Sequence, residues 1–256
     1  MAALLETTNL SVSFGGLRAL DAVELTVEPG RIVGLIGPNG AGKTTFVDAL
    51  TGFVPATGRV HFEGRDITNL RADRRVHGGL ARTWQSLELF DDLTVAENLQ
   101  VAAEQASFAH VVADLFRPHR PRDSQAVDEA LELLDLTAIA DRLPTELSHG
   151  QRKMVGVARA LASRPRLVCM DEPAAGLDTS ESEALGRRLR DMVDEGVTIL
   201  LIDHDMGLVL SICDYVYVLE FGRVIAQGTP AEIRGDELVL AAYLGERARR
   251  EIEVLS

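Results

Sequence analysis

A chain of 256 residues with 46% hydrophobic and 25% charged side chains is long enough for one large domain, or two small ones, around a real core. Its formal net charge of −13 excludes a sequence-independent grip on DNA or RNA, which depends on a basic surface. No run approaches the ~20 apolar residues that cross a bilayer. The start MAALLETTNL has neither the basic nor the long apolar region of a signal peptide, so work at a membrane would need a spanning partner.

In chain order, the first elements read as strands. Apolar residues alternate with serines over residues 11–14, and Leu25 and Val27 alternate before a Pro29-Gly30 turn. Residues 32–36 form a short apolar run, expected as a buried strand. Val60 and Phe62 alternate within 58–63. These pieces predict a small antiparallel sheet beside the first buried strand. Residues from about 93 to 163 read as helix, with Val127, Ala130, Leu131 and Leu134 at helical spacing. A basic Pro-containing stretch at 117–123 interrupts them and reads as a loop. From residue 166 strands and helices alternate. Residues 167–170 and 199–202 are short apolar runs of the kind found in parallel sheets, and 181–195 is a polar amphipathic helix between them. Residues 215–219 and 223–226 flank Glu-Phe-Gly as a hairpin, and 246–256 reads as a solvated helix end. Cys169 and Cys213 lie in apolar runs without metal spacing, which predicts two buried, reduced thiols.

The first chemistry lies at Gly37-Pro38-Asn39-Gly40-Ala41-Gly42-Lys43-Thr44, which fits the phosphate-loop pattern G-x-x-x-x-G-K-[ST] between an apolar strand and a helix starting near Thr45. Glycines let the backbone wrap an anion, successive N–H groups point at it, and the helix N-terminus adds partial positive charge. Lys43 is expected to reach the β- and γ-phosphates and the Thr44 hydroxyl to ligate Mg²⁺. A second acid is expected at a strand end, and residues 167–173 supply four apolar residues followed by Asp171 and Glu172. Asp171 is expected to hold Mg²⁺ and Glu172 to orient or deprotonate an attacking water. The alternative for this pair is a cap on the next helix. The two motifs together indicate a nucleoside triphosphatase or a kinase without choosing between them.

The order of motifs resembles the ATP-binding cassette (ABC) ATPases over essentially the whole chain: the phosphate loop at 37–45, Gln85, LSHGQ at 147–151, MDEP at 170–173, AGLD at 175–178 and His204. The resemblance implies an α/β fold with a RecA-like P-loop NTPase core, an antiparallel β subdomain and an inserted helical subdomain. Core and β subdomain would take residues 1–85 and 156–256, and the helical subdomain 86–155. It implies that Phe14 stacks on adenine, against the alternative of a core aromatic on the Val12 face. It implies that Gln85 touches Mg²⁺ and the attacking water, that His204 contacts the γ-phosphate, and that Asp178 lies in a loop communicating between two active sites, with a helix cap as the alternative for each of the last two. Ser148, Gly150 and Gln151 would serve the ATP of a second cassette, so that two chains sandwich two ATPs. His149 is read as tolerated in that signature, and Ser148 with Gln151 also makes a helix capping box.

Local wording (SFGGLRAL, ARTWQSLELFDDLTVAENL, DEPAAGLD, IDHDMGLVL, IAQGTPAEI) is similar to the larger cytoplasmic ATPases of branched-chain amino acid importers. That implies permease subunits, a solute-binding protein acting through them, a place on the inner face of the membrane, and no nucleic-acid partner. An export cassette for lipid or lipopolysaccharide, a non-transport ABC protein and a P-loop small-molecule kinase are the competing readings.

Overall fold

The computed structural model describes residues 2–83, 89–103 and 124–243. The antiparallel sheet expected at the N-terminus is present, with strand order β2-β1-β4-β5 built from β1 (Leu5–Phe14), β2 (Leu17–Val27), β4 (Thr57–Phe62) and β5 (Arg65–Asp66). Strand β1 begins six residues before the serine-alternating stretch. Its register shifts between Thr7 and Leu10, and Asn9 takes φ 51, so a bulge breaks the period of two that the sequence would otherwise show.

The second sheet has the order β10-β9-β3-β8-β7-β6. Strands β3 (Ile32–Ile36), β6 (Leu80–Arg82), β7 (Leu167–Asp171), β8 (Thr198–Ile202) and β9 (Tyr215–Glu220) run parallel, and β10 (Arg223–Gly228) returns antiparallel along β9. The β9–β10 turn is the expected one, with Phe221 at φ 47 and Gly222 at φ 76, the two positive angles a tight hairpin requires. Every residue of β3, β7 and β8 is buried, because both faces of this sheet are covered. Val33, Leu35, Leu167, Cys169, Leu200 and Ile202 join the core shared with the antiparallel sheet and helix α1 (Lys43–Thr51). Ile32, Ile36, Val168, Met170, Ile199 and Leu201 face the other way, into the core made with the later helices.

Those helices are α3 (Val95–Ala103), α4 (Ser124–Leu133), α5 (His149–Ala162), α6 (Thr179–Asp194), α7 (Met206–Ile212) and α8 (Pro230–Arg234). The helical stretch expected from about 93 to 163, with its loop at 117–123, has further breaks. Asp135 takes a left-handed φ of 57 and Leu136 N–H closes onto Leu131 O at 2.8 Å, which ends α4. Pro144 starts a single 3₁₀ turn (Pro144–Glu146) and cannot continue an earlier helix. Helix α5 then runs unbroken past residue 155, from the helical layer to the start of β7. The short helix α2 (Ala72–His77) carries Arg75, whose buried guanidinium donates to the carbonyls of Ala49, Leu50, Thr68 and Leu70. Both cysteines are buried and free, and burial pushes each thiol up to about 12. No described helix is long and apolar enough to cross a membrane.

Candidate nucleotide site

The site forms where β3, β7 and β8 end. Gly37 leaves β3 at φ 151 with its Cα so close to the next strand that a Cβ would stand 2.0 Å from Leu219 O. Gly42, at φ 105, would put a Cβ 2.7 Å from Ala19 O. These two glycines therefore answer to close backbone approach as well as to angle. Gly222 N–H donates to Ala41 O at 2.9 Å, so the loop rests on β2 and on the β9–β10 turn. Helix α1 opens at Lys43 behind Gly42, which offers no side-chain cap, and its first turn holds no acid. Lys43 is buried, and its Nζ lies inside the curl of the loop, donating to Gly37 O (2.7 Å) and Pro38 O (3.1 Å). Thr44 is exposed, Thr45 half-buried, and Asn39 and Gly40 stand at the exposed crest.

Asp171 closes β7 and is only 3% exposed. Its Oδ2 lies 3.6 Å from Arg82 Nη2 and has no hydrogen-bond partner among the described residues. Burial pushes this carboxyl above the ordinary range. Arg82 opposes that, Glu172 and Asp48 add to it, and Lys43 opposes it weakly. Arg82 also pairs closely with Asp48 of α1 and lies over the Phe53 ring, 5.8 Å from its centroid. The next residue, Glu172, holds a left-handed φ of 49, uncommon for a residue with a side chain. Main-chain hydrogen bonds fix it: its N–H donates to Ile202 O (2.7 Å), and its carbonyl accepts from Lys153 Nζ (3.1 Å) and Ala175 N (3.2 Å). Its Oε1 lies 3.8 Å from His204 Nδ1.

Asp203 lies beneath His204, fully buried, with Oδ1 3.5 Å from the ring. It accepts from Asp205 N (3.0 Å) and Ala174 N (3.2 Å), joining the loops that follow β7 and β8. Burial raises its carboxyl, against those amides and His204. Lys153 is buried beside the same pair, and burial lowers its ammonium against the pull of Asp203 and Glu172.

The structure thus gathers residues 37–45, Asp171, Glu172 and His204 at one edge of the parallel sheet. Phe14 is half exposed at the end of β1 and not in the core; it lies on the β1–β2 hairpin, whose second strand abuts the phosphate loop at Ala19. Ser148, Gly150 and Gln151 stand at the start of α5. Ser148 caps it, accepting from Gln151 N at 3.2 Å, while Gln151 Oε1 accepts from Ser148 N at 3.0 Å. Asp178 caps α6 in the same way with Glu181, and these caps hold Asp178 below the usual carboxylate range. Gln85 and its neighbour Trp84 lie outside the described residues, as do the loop at 117–123 and the tail at 246–256. Arg82, Lys153 and Asp203 escape motif reading. The signal for Lys153 is its position one turn before Val157 on the buried face of α5.

The family model described as ABC transporter matches residues 20–175. The chain belongs to the ABC transporter family of ATP-binding cassettes. A second model, branched-chain amino acid ATP-binding cassette transporter, matches residues 223–249 of the cassette. Over 250 residues the cassette is 40% identical to the high-affinity branched-chain amino acid transport ATP-binding protein BraF of Pseudomonas aeruginosa, covering 95% of this chain and 98% of that one. It is 39% identical, over the same shares, to LivG of Escherichia coli, which bears the same description. Among solved structures, a nucleotide-free ATP-binding cassette from an ABC transporter matches with TM-score 0.82 and 34% identity, over 94% of this chain and 99% of that one. A cassette in its ADP conformation matches with TM-score 0.83 and 34% identity, over 96% and 100%. The cassette is an ABC ATPase with the mixed α/β architecture of its family.

Burial of the Asp171 carboxyl is expected to cost this ABC ATPase stability at neutral pH. A carboxyl whose folded pKa lies above its unfolded value binds its proton more tightly when folded, so its contribution to stability falls as pH rises through the folded value. Asp171→Asn in the nucleotide-free cassette is therefore expected to melt about 2–4 °C higher at pH 7. The gain should disappear at acid pH, and ATPase activity should be lost. Scanning fluorimetry across pH checks this; a lower melting point at pH 7 would mean that the Arg82 pair outweighs the burial.

Proposed function

We propose that this cassette hydrolyses ATP to drive import of branched-chain amino acids, or a related small polar solute, through separate permease subunits. The convergence of Lys43, Asp171, Glu172 and His204 on the phosphate-loop edge of the sheet carries the hydrolytic half of this reading. The identity to BraF and LivG supports the solute class.

In this reading the amides of residues 40–45 and Lys43 Nζ bind the β- and γ-phosphates of ATP. Phe14 offers a ring face to the adenine. The Thr44 hydroxyl and the unpartnered Asp171 Oδ2 fit Mg²⁺, a hard cation that takes oxygen donors and keeps much of its water. Among the described residues no group of three acidic, His or Cys side chains makes a metal cage by itself, in keeping with an ion held jointly with phosphate oxygens. When bound, Mg²⁺ would spread the charge of the phosphates. Glu172 orients the attacking water and accepts its proton at the carboxylate. His204, set by Asp203, donates toward the γ-phosphate. Gln85 would touch the metal and the water. Residues 1–85 and 156–256 act as the ATP-binding core with its β subdomain, and 86–155 as the helical subdomain. Ser148, Gly150 and Gln151 serve the ATP of a second cassette, and Asp178 communicates between the two sites. The pair works on the inner face of the membrane.

Reconstitution with its permease subunits tests the reading. ATP-dependent uptake of labelled leucine into vesicles is expected. Uptake of urea or an amide in place of leucine, isoleucine or valine would assign the related small polar solute, and ATPase activity with no solute uptake would overturn the import reading.

A further inference from the structure

Two contacts within the chain tie the start of α5 to the loop that enters α6. A Cβ built on Gly176 would stand 3.2 Å from His149 Nε2, so the imidazole is seated against that glycine. A Cβ built on Gly150 would stand 2.6 Å from Glu181 Oε1 and 3.1 Å from its Cδ, so this carboxylate covers the first turn of α5. Glu181 also closes the cap of α6: its Oε2 accepts from Asp178 N (3.1 Å), and its own N–H donates to Asp178 Oδ1 (2.8 Å). One side chain therefore spans the Asp178 loop and the turn at 148–151.

We infer that Glu181 and His149 are positioning residues that hold the turn at 148–151 and the Asp178 loop as one rigid surface toward a second cassette. The inference rests on the reading, given above, that this turn serves a partner's ATP. Donors on a helix start help a distant phosphate only when already aimed, and a turn fixed in advance loses less entropy when the partner closes. Gly150 then has a reason within its own chain for lacking a side chain, besides room for a phosphate. His149 is a working contact, beyond being merely tolerated. An opposite effect is physically available, since a carboxylate near a helix N-terminus offsets its positive end and would compete with phosphate. The sign of the mutational effect separates the two.

The test uses the full chain carrying Glu172→Gln. ATP-dependent dimerisation is followed by sedimentation velocity, and ADP affinity by calorimetry as a control for the phosphate loop. Adding Glu181→Ala is expected to weaken the dimer about tenfold, and adding His149→Ala about threefold, with ADP affinity unchanged. Glu181→Gln keeps the shape and an acceptor for Asp178 N, and is expected to stay within about twofold of the parent. Should Glu181→Ala fail to fold, His149→Ala and Glu181→Gln carry the test. Unchanged dimerisation in the Ala variants, or loss of ADP affinity together with dimerisation, overturns the positioning role. Tighter dimers with Glu181→Gln or Glu181→Ala would identify a competing carboxylate and overturn it too. Failure of the Glu172→Gln parent to dimerise with ATP overturns the underlying reading of the turn, and the inference with it.

Discussion

Glu172→Gln is expected to bind ATP as the parent does while its steady-state turnover falls by about 10²–10⁴-fold, the usual cost of losing a positioned general base. Glutamine keeps the volume of the side chain, and the hydrogen bonds to Ile202 O and from Lys153 Nζ use only main-chain atoms of residue 172. The left-handed turn at φ 49 therefore has no reason to relax. With closure allowed and hydrolysis blocked, ATP should hold the variant as a dimer, visible by sedimentation, while phosphate release stays near background. Turnover within threefold of the parent would remove Glu172 from the chemistry and leave its conformation unexplained.

Lys43→Ala is expected to weaken ATP binding by about 100-fold or more. The ammonium is buried in the loop, and two charge-assisted hydrogen bonds of about 1.5–3 kcal/mol each are at stake when phosphate oxygens take the place of carbonyls. The same substitution removes the donor that now gathers Gly37 O and Pro38 O, so the empty loop should also lose order. Lys43→Arg should not restore affinity, because a planar fork does not fit a space shaped for a compact ammonium. Calorimetry with ATP measures both variants, and unchanged affinity in either would contradict the assignment of the loop.

The phosphate loop and the acidic strand end were legible because their chemistry depends on local spacing: a strand, a glycine-bounded turn and a helix must follow one another, and two acids must follow an apolar run. The capping box at Ser148 was legible for the same reason, since its three-residue spacing is written in the chain, and at Asp178 a helix cap stood as the alternative reading. What stayed hidden depends on distant segments. Arg82 acquires a role only because β6 pairs with β7 and brings its guanidinium to Asp171. Asp203 matters because two loops after parallel strands meet at its oxygens. For Phe14, the face shared with Val12 left a core aromatic as the alternative, and its half-exposed place at the end of β1 removes that alternative. The helical reading of 93 to 163, broken there only by a loop at 117–123, missed the breaks at Asp135 and Pro144, where one left-handed residue and one missing amide outweigh the apolar rhythm.

Arg75 gives the cassette a mechanical property. Its guanidinium grips the last carbonyls of α1 and, on the other side, the carbonyls of Thr68 and Leu70. Burial lowers its pKa, yet the four carbonyl dipoles keep the cation where a hydrophobic rivet would slide. A rod clamped at its tail passes torque on instead of absorbing it. Any tilt imposed on α1 by what sits at its phosphate end must therefore swing α2 and, packed against it, β6.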